Sequence, residues 1–132
     1  MILSLKTASA TTEVGLYDPA NLQTPVASIQ WESGRALADE LLTKLVEFLG
    51  HRPVPQQTLT GIIVFSGPGS FTSLRIGHTV ANALAASLGI PVVGAQGDNW
   101  IQVAHAALAH TKLDVPAIPH YGSEANITRP KT

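Results

Sequence analysis

One stretch decides the fold: Ser66-Gly67-Pro68-Gly69-Ser70-Phe71-Thr72-Ser73-Leu74-Arg75-Ile76-Gly77. An apolar run, Gly61 to Phe65, leads into this stretch, and an alanine-rich segment, His78 to Leu88, leads out of it. Glycine can take a positive φ at positions 67 and 69, and Pro68 fixes φ between them. Ser70 and Thr72 are residue types that cap the N-termini of helices. The stretch therefore predicts a strand, a tight turn and a helix, in that order.

The predicted helix has small side chains at every fourth position, Ser73, Gly77, Ala81 and Ala85. This spacing forms a continuous ridge, which we call the small ridge, where another helix can approach closely. Gly77 costs roughly 1 kcal/mol against alanine inside a helix, and close packing is the expected compensation. The ridge can pack on the chain's own sheet, on its first helix or on a partner.

Composition narrows the class of protein. The 132 residues include 45% hydrophobic and only 13% charged residues, with a net charge of −1 and no cysteine. These values indicate one globular domain and exclude disulfides, thiolate metal sites and an overall positive field for nucleic acid. Lys6 interrupts the first apolar run, so no signal peptide is expected, and no segment reaches the ~18 apolar residues of a membrane span. We expect a cytoplasmic protein whose charge-poor surface is partly covered by a partner.

Turn signals and hydrophobic periodicity divide the rest of the chain. Three strands, Ile2 to Leu5, Glu13 to Tyr17 and Val26 to Trp31, have short connections and predict an antiparallel meander. Glu32-Ser33-Gly34 opens a helix with Leu37, Leu41, Leu45 and Phe48 on one face, and Leu42 and Val46 make that face broader than one sheet requires.

The second half of the chain predicts two parallel crossovers. Gly61 to Ser66 is a strand buried on both faces, the helix from Phe71 to Leu88 ends at Gly89, and Ile90 to Gly94 is the fifth strand. Asp98 is expected to cap a last helix that runs to about His110. The predicted order is β-β-β-α-β-α-β-α, a mixed five-stranded α/β sheet, with one lobe at residues 1–112 and an extended tail at 113–132.

The sequence Gly-Pro-Gly-Ser-Phe-Thr-x-Leu-Arg-Ile-Gly, at Gly67 to Gly77, resembles the signature of the TsaB (YeaZ) family. The resemblance covers roughly residues 1–97 and implies an actin-like (ASKHA, ribonuclease H-like) lobe. Members of that family are non-catalytic partners of TsaD in making threonylcarbamoyladenosine on tRNA, and they pair through their first two helices. Two departures are expected to weaken or abolish nucleotide binding. Lys6-Thr7-Ala8-Ser9 replaces the usual Asp-Thr-Ser, and the chain has no room for a second lobe.

The remaining polar residues predict little catalytic chemistry. The turn at Gly67, Pro68, Gly69 and Ser70 could hold a phosphate at the helix N-terminus, but it lacks the lysine of a P-loop and does not fit a nucleophile elbow. A tight turn that aims the helix is the favoured interpretation. Five scattered histidines and unpaired carboxylates give no expected metal site, and no catalytic residue or cofactor is predicted.

The resemblance thus leads to one preferred function. The chain is expected to support a TsaD-like catalytic subunit, or to form a homodimer, through its first two helices. An ATPase of the same complex (TsaE-like) is a further expected partner, tRNA is reached only indirectly, and no membrane is involved. Arg75 is interpreted either as a solvated side chain or as half of an ion pair with the partner. The predicted interface residues are Leu41, Leu45, Ser70, Ser73, Leu74, Arg75, Gly77, His78, Ala81 and Ala85.

Two alternatives stay open. One is a small enzyme or nucleotide-binding lobe that uses the turn from Gly67 to Ser70 for phosphate. The other is a homodimeric scaffold that uses the same helices outside the original pathway. Replacing Gly77 by leucine is expected to block close helix approach while leaving the fold mostly intact.

Overall fold

The computed structural model describes residues 1–50, 59–112 and 115–118. The five strands are β1 (Ile2–Lys6), β2 (Thr11–Tyr17), β3 (Ala27–Glu32), β4 (Gly61–Phe65) and β5 (Val92–Ala95). The three α-helices are α1 (Leu37–Gly50), preceded by a 3-10 turn at Gly34–Ala36, α2 (Phe71–Leu88) and α3 (Trp100–Leu108). The predicted order of elements and the mixed α/β fold are confirmed.

The strands form one sheet in the order β3-β2-β1-β4-β5. β1, β2 and β3 pair antiparallel, with Ser4 opposite Gly15 and Lys6 opposite Glu13 in the β1–β2 register. β4 pairs parallel with β1 and with β5. This is the topology expected for a meander followed by two crossovers, and it brings the carboxyl ends of β1, β4 and β5 to one edge.

Helices cover both faces of the sheet. On one face, α1 and α2 enclose a core that includes Leu3, Leu5, Leu41 and Ile62. On the other, α3 packs on β4 and β5 around Ile63, Phe65 and Trp100. All five residues of β4 are buried, as expected of a central parallel strand covered on both faces.

Local signals explain where the helices begin and end. The Ser70 hydroxyl accepts a hydrogen bond from the Ser73 backbone N–H and caps α2, and Gly89 ends α2 in the left-handed conformation with φ +68°. The prediction for the start of α3 is wrong. Asn99, not Asp98, is the N-cap residue of α3, and its side chain makes no capping hydrogen bond. α3 also ends at Leu108, two residues before His110.

Strand boundaries differ from the prediction by one or two residues. β2 begins at Thr11, because its ladder with β3 extends to the pair Thr11–Glu32, where the Thr11 hydroxyl donates to the Glu32 carboxylate. The predicted tail at 113–132 lies largely outside the described residues. Its described part, residues 115–118, is held where the Asn82 side chain bonds both backbone groups of Ala117, at 3.1 and 2.9 Å.

Candidate functional site

The turn between β4 and α2 packs on the turn between β1 and β2. Gly67 has φ +125°, a region that favours glycine. Gly69 is needed for a different reason, because a Cβ there would lie 2.7 Å from the Ala8 Cβ and 2.9 Å from the Ala8 carbonyl oxygen. The two glycines therefore let the two turns touch and fix the start of α2.

The N–H groups that a phosphate would use are partly bonded already. The Ser70 N–H donates to the Ala8 carbonyl at 3.0 Å, and the Ser73 N–H donates to the Ser70 hydroxyl at 3.3 Å. A phosphate at this helix N-terminus would have to displace these bonds. The geometry favours the interpretation of Gly67, Pro68, Gly69 and Ser70 as a turn that aims α2.

Three of the four residues of the small ridge pack inside the chain and not on its surface. Gly77 is buried, and Ala81 and Ala85 are 1% and 2% exposed. A Cβ added at Gly77 would lie 2.2 Å from the Thr7 hydroxyl oxygen, and that hydroxyl donates to the Ser73 carbonyl at 2.7 Å. The close approach that the ridge permits is therefore to the end of β1, and a leucine at position 77 would disturb the fold itself.

This finding corrects most of the predicted interface residues. Seven of the ten are buried against the chain's own sheet and helices and have no surface to offer a partner: Leu41, Leu45, Leu74, Gly77, His78, Ala81 and Ala85. Ser70 and Arg75 are exposed, and Ser73 is partly exposed. The sequence pattern thus selected the buried sides of α1 and α2.

A buried polar pair joins β4 to α2. The Ser66 hydroxyl lies 2.9 Å from His78 Nε2, and His78 Nδ1 lies 2.8 Å from the Leu74 carbonyl oxygen. Because a carbonyl can only accept, Nδ1 is the donor, and in the neutral imidazole Nε2 accepts from Ser66. Both residues are about 99% and 98% buried, which points to a role in orienting α2.

Sequence reasoning missed this pair, although two signals were available. The four-residue step from Leu74 to His78 allows a ring nitrogen to reach a helix carbonyl, and Gly94 in the neighbouring strand leaves room for Ser66. A Cβ at Gly94 would lie 2.1 Å from the Ser66 hydroxyl oxygen. Neither signal identifies Ser66 as the partner without the register of β4 and β5.

The outer side of the α1–α2 layer carries an apolar surface. Leu42, Val46 and Phe71 are 56%, 53% and 52% exposed. A groove of about 390 Å³ lies between the helices, lined by Ala38, Phe71, Thr72, Arg75, Ile76, Thr79 and Val80. We call this groove, together with Leu42 and Val46, the α1–α2 face. It matches the prediction that the apolar side of α1 is broader than one sheet requires.

The described residues hold no group of three or more His, Asp or Glu side chains placed to bind a metal. His51 and His120 lie outside the described part of the chain. Lys6 lies with its ammonium 4.6 Å from the centroid of the Phe65 ring, a cation–π contact. Among the residues that the structure describes, none of the helices combines the length and the apolar composition of a membrane span.

The sequence of the chain is similar to those of known proteins. A family model described as TsaD, tRNA N6-adenosine threonylcarbamoyltransferase, matches residues 32–119. The chain is 56% identical over 36 residues, 27% of its length, to the tRNA threonylcarbamoyladenosine biosynthesis protein TsaB of Bacillus subtilis, of which it covers 16%. It is 30% identical over 93 residues to an uncharacterized protein of Mycobacterium bovis, covering 70% of this chain and 44% of that protein.

A solved structure has the same fold. YeaZ from Pseudomonas aeruginosa superimposes with a TM-score of 0.63 and 27% identity, covering 72% of this chain and 43% of that one. The chain thus spans less than half the length of the relatives that it matches.

Proposed function

The chain belongs to the TsaD and TsaB (YeaZ) family of tRNA threonylcarbamoyladenosine proteins, and from that premise we propose that it is a non-catalytic subunit supporting a TsaD-like enzyme. Its similarity to TsaB and YeaZ supports involvement in this tRNA modification pathway. The proposed role is to bind the catalytic subunit through the α1–α2 face and hold it in a competent arrangement.

The exposed α1–α2 face is the observation that carries this proposal. Three large apolar side chains, Leu42, Val46 and Phe71, are each more than half exposed on two adjacent helices. Exposed apolar residues that cluster beside a groove are typical of protein interfaces, whereas single ones are ordinary. Burying them in a helical bundle would stabilise a complex by roughly 25 cal/mol for each Å² of apolar surface removed from water, before the cost of association.

Charge adds a requirement on the partner. Arg75 lines the groove and is exposed, and it forms no ion pair with any described residue. An arginine on an apolar surface favours a partner that presents a carboxylate, since a bidentate pair adds orientation as well as energy. The proposed partner therefore presents a pair of amphipathic helices. Their apolar side chains cover the α1–α2 face, and one acidic residue lies beside Arg75.

The proposed partners follow from this surface. A TsaD-like catalytic subunit is preferred, and a second copy of the chain is the competing occupant of the same face. In the proposed complex, a TsaE-like ATPase binds elsewhere, tRNA contacts the catalytic subunit, and the assembly works in the cytoplasm. ATP, metal and the transfer of the threonylcarbamoyl group to adenosine are assigned to the partner.

The α1–α2 face can be tested with two matched valines. Val46 on α1 and Val103 on α3 are 53% and 55% exposed, so aspartate at either position removes similar apolar surface. We expect Val46→Asp to weaken binding to the TsaD-like protein by tenfold or more, and Val103→Asp to change it less than threefold. Isothermal titration calorimetry with each variant gives the two affinities, and circular dichroism verifies that both fold.

Sedimentation of the chain alone distinguishes the two occupants, because a homodimer on this face would dissociate in Val46→Asp and persist in Val103→Asp. Equal affinities of both variants for the partner would reject the face. Micromolar binding of ATP or ADP by the isolated chain, with or without magnesium, would instead support the alternative of a nucleotide-binding lobe.

A further inference from the structure

A cavity of about 170 Å³ lies on the face of the sheet opposite to α1 and α2. β1, β2 and β3 form its floor, and Trp100 and Ile101 at the start of α3 form one wall. Over β1, β2 and β3 this face carries polar side chains that line the cavity, including Ser4, Glu13 and Gln30, and the proposed partner surface lies on the other side of the sheet. The cavity therefore needs an explanation of its own.

Ser4 is the most informative residue of the cavity floor. Its side chain lines the cavity and is only 5% exposed, yet its hydroxyl forms no hydrogen bond with any described residue. A buried hydroxyl without a partner is unfavourable, so a polar group inside the cavity is the expected partner.

Gly15 keeps that hydroxyl accessible. It lies directly opposite Ser4 in the β1–β2 register, and a Cβ there would lie 2.7 Å from the Ser4 hydroxyl oxygen and 3.0 Å from a ring carbon of Tyr17. Tyr17 also lines the cavity. Burial, and secondly the charge of Glu13, raise the pKa of its phenol, so the hydroxyl stays protonated at neutral pH.

Two opposite charges line the same cavity. Lys6 and Glu13 are register partners on β1 and β2, a position that usually favours a cross-strand ion pair. Instead, the Lys6 ammonium lies over the Phe65 ring of β4, on the far side of β1 from Glu13. Among the described residues, no salt bridge joins Lys6 to Glu13. Each of the two charges can therefore meet a separate group of a ligand.

We propose that this cavity binds a small zwitterion of the α-amino acid class. The ligand carboxylate would meet Lys6, its ammonium would meet Glu13, and its polar side chain would bond the Ser4 hydroxyl. The cavity volume of about 170 Å³ lies below the roughly 300–1,000 Å³ of pockets for drug-sized ligands, which suits a small molecule such as serine.

The test uses the full chain and L-serine as the zwitterionic probe, with acetate, ethylammonium and glycerol for comparison. Ligand-observed NMR titration gives each affinity. In a separate protein-observed spectrum, the amide signal of Gly15 reports whether binding occurs in this cavity. We expect L-serine to bind at least tenfold more tightly than the three comparison molecules. Failure of L-serine to bind, or glycerol binding equally well, would overturn the proposal.

Variants separate binding from folding. Glu13→Gln removes one charge without changing shape and should weaken L-serine binding about tenfold. Ser4→Ala should weaken it about threefold to tenfold while the melting temperature stays equal or rises, because an unpaired buried hydroxyl is removed. Ser87→Ala, at an exposed position on α2, is the matched control. Unchanged affinity in both Glu13→Gln and Ser4→Ala would overturn the proposal.

Discussion

The two sides of α2 differ in what they contact. The inward side carries the small ridge, and its residues Gly77, Ala81 and Ala85 are buried on the chain's own sheet. The outward side carries Arg75 and Thr79, which are exposed beside the groove to α1. The buried residues of the small ridge thus lie where this helix is closest to its own fold, and Arg75 and Thr79 lie on the surface that we propose for a partner.

The difference has a physical cause. A ridge of small residues lets any backbone come near, but it does not determine whether that backbone belongs to the same chain. Here the end of β1 takes the space, because Thr7 bonds the Ser73 carbonyl and leaves no room for a Cβ at Gly77. An apolar side chain that remains half exposed after folding, such as Leu42, is better evidence for a partner.

The largest expected effect is on the inward side. Gly77→Ala places a methyl group 2.2 Å from the Thr7 hydroxyl, so Thr7 must move and its bond to Ser73 is lost. The free energy of unfolding should fall by about 1–3 kcal/mol, despite the better helix propensity of alanine. Urea denaturation followed by circular dichroism measures this difference.

Gly50→Ala is the matched control for this variant. A Cβ at Gly50 meets no atom of the described residues within 4 Å, so alanine there should leave stability equal or raise it by up to about 1 kcal/mol. Equal effects of the two substitutions would show that the small ridge does not pack closely in solution.

A smaller effect is expected at the start of α2, where the turn after β4 ends and both sides of the helix begin. Ser70→Ala removes the hydroxyl that accepts from the Ser73 N–H and should cost about 1 kcal/mol of unfolding free energy. Thr72→Ala, at an exposed position two residues along, should change stability by less than about 0.5 kcal/mol. A cost at Thr72 as large as that at Ser70 would contradict the assigned cap.

Much of this fold could be predicted from the sequence because local signals determine it. α2 begins and ends where the sequence predicts, since Ser70 caps one end and Gly89 adopts a positive φ at the other. The meander follows from short connections between apolar runs, and the burial of β4 follows from its unbroken apolar composition. Asp98 misled the prediction because Asn99 beside it is an equally good capping type.

The candidate site was less predictable because it depends on distances between elements. The spacing of Gly77 and Ala81 indicates a close contact, but only the position of Thr7 identifies that contact. The Ser66–His78 bond likewise crosses from a strand to a helix, and the opening above Ser4 depends on the β1–β2 register. The exposure of Leu42 and Val46 was predictable, because the apolar stripe of α1 is wider than the core contact that it makes.

The smallest effect on stability is expected on the outward side of α2. Arg75→Gln removes an exposed charge that pairs with no described residue, so the free energy of unfolding should change by less than about 0.5 kcal/mol. If Arg75 pairs with a partner carboxylate, the same variant should weaken association with the TsaD-like protein and reduce its salt dependence. Lys112→Gln makes the same change of charge at an exposed position after α3 and should leave both properties unchanged. Calorimetric titrations of both variants at 50 mM and 300 mM salt measure this difference. Equal salt dependence in the two variants would show that Arg75 is a solvated side chain that pairs with no partner carboxylate.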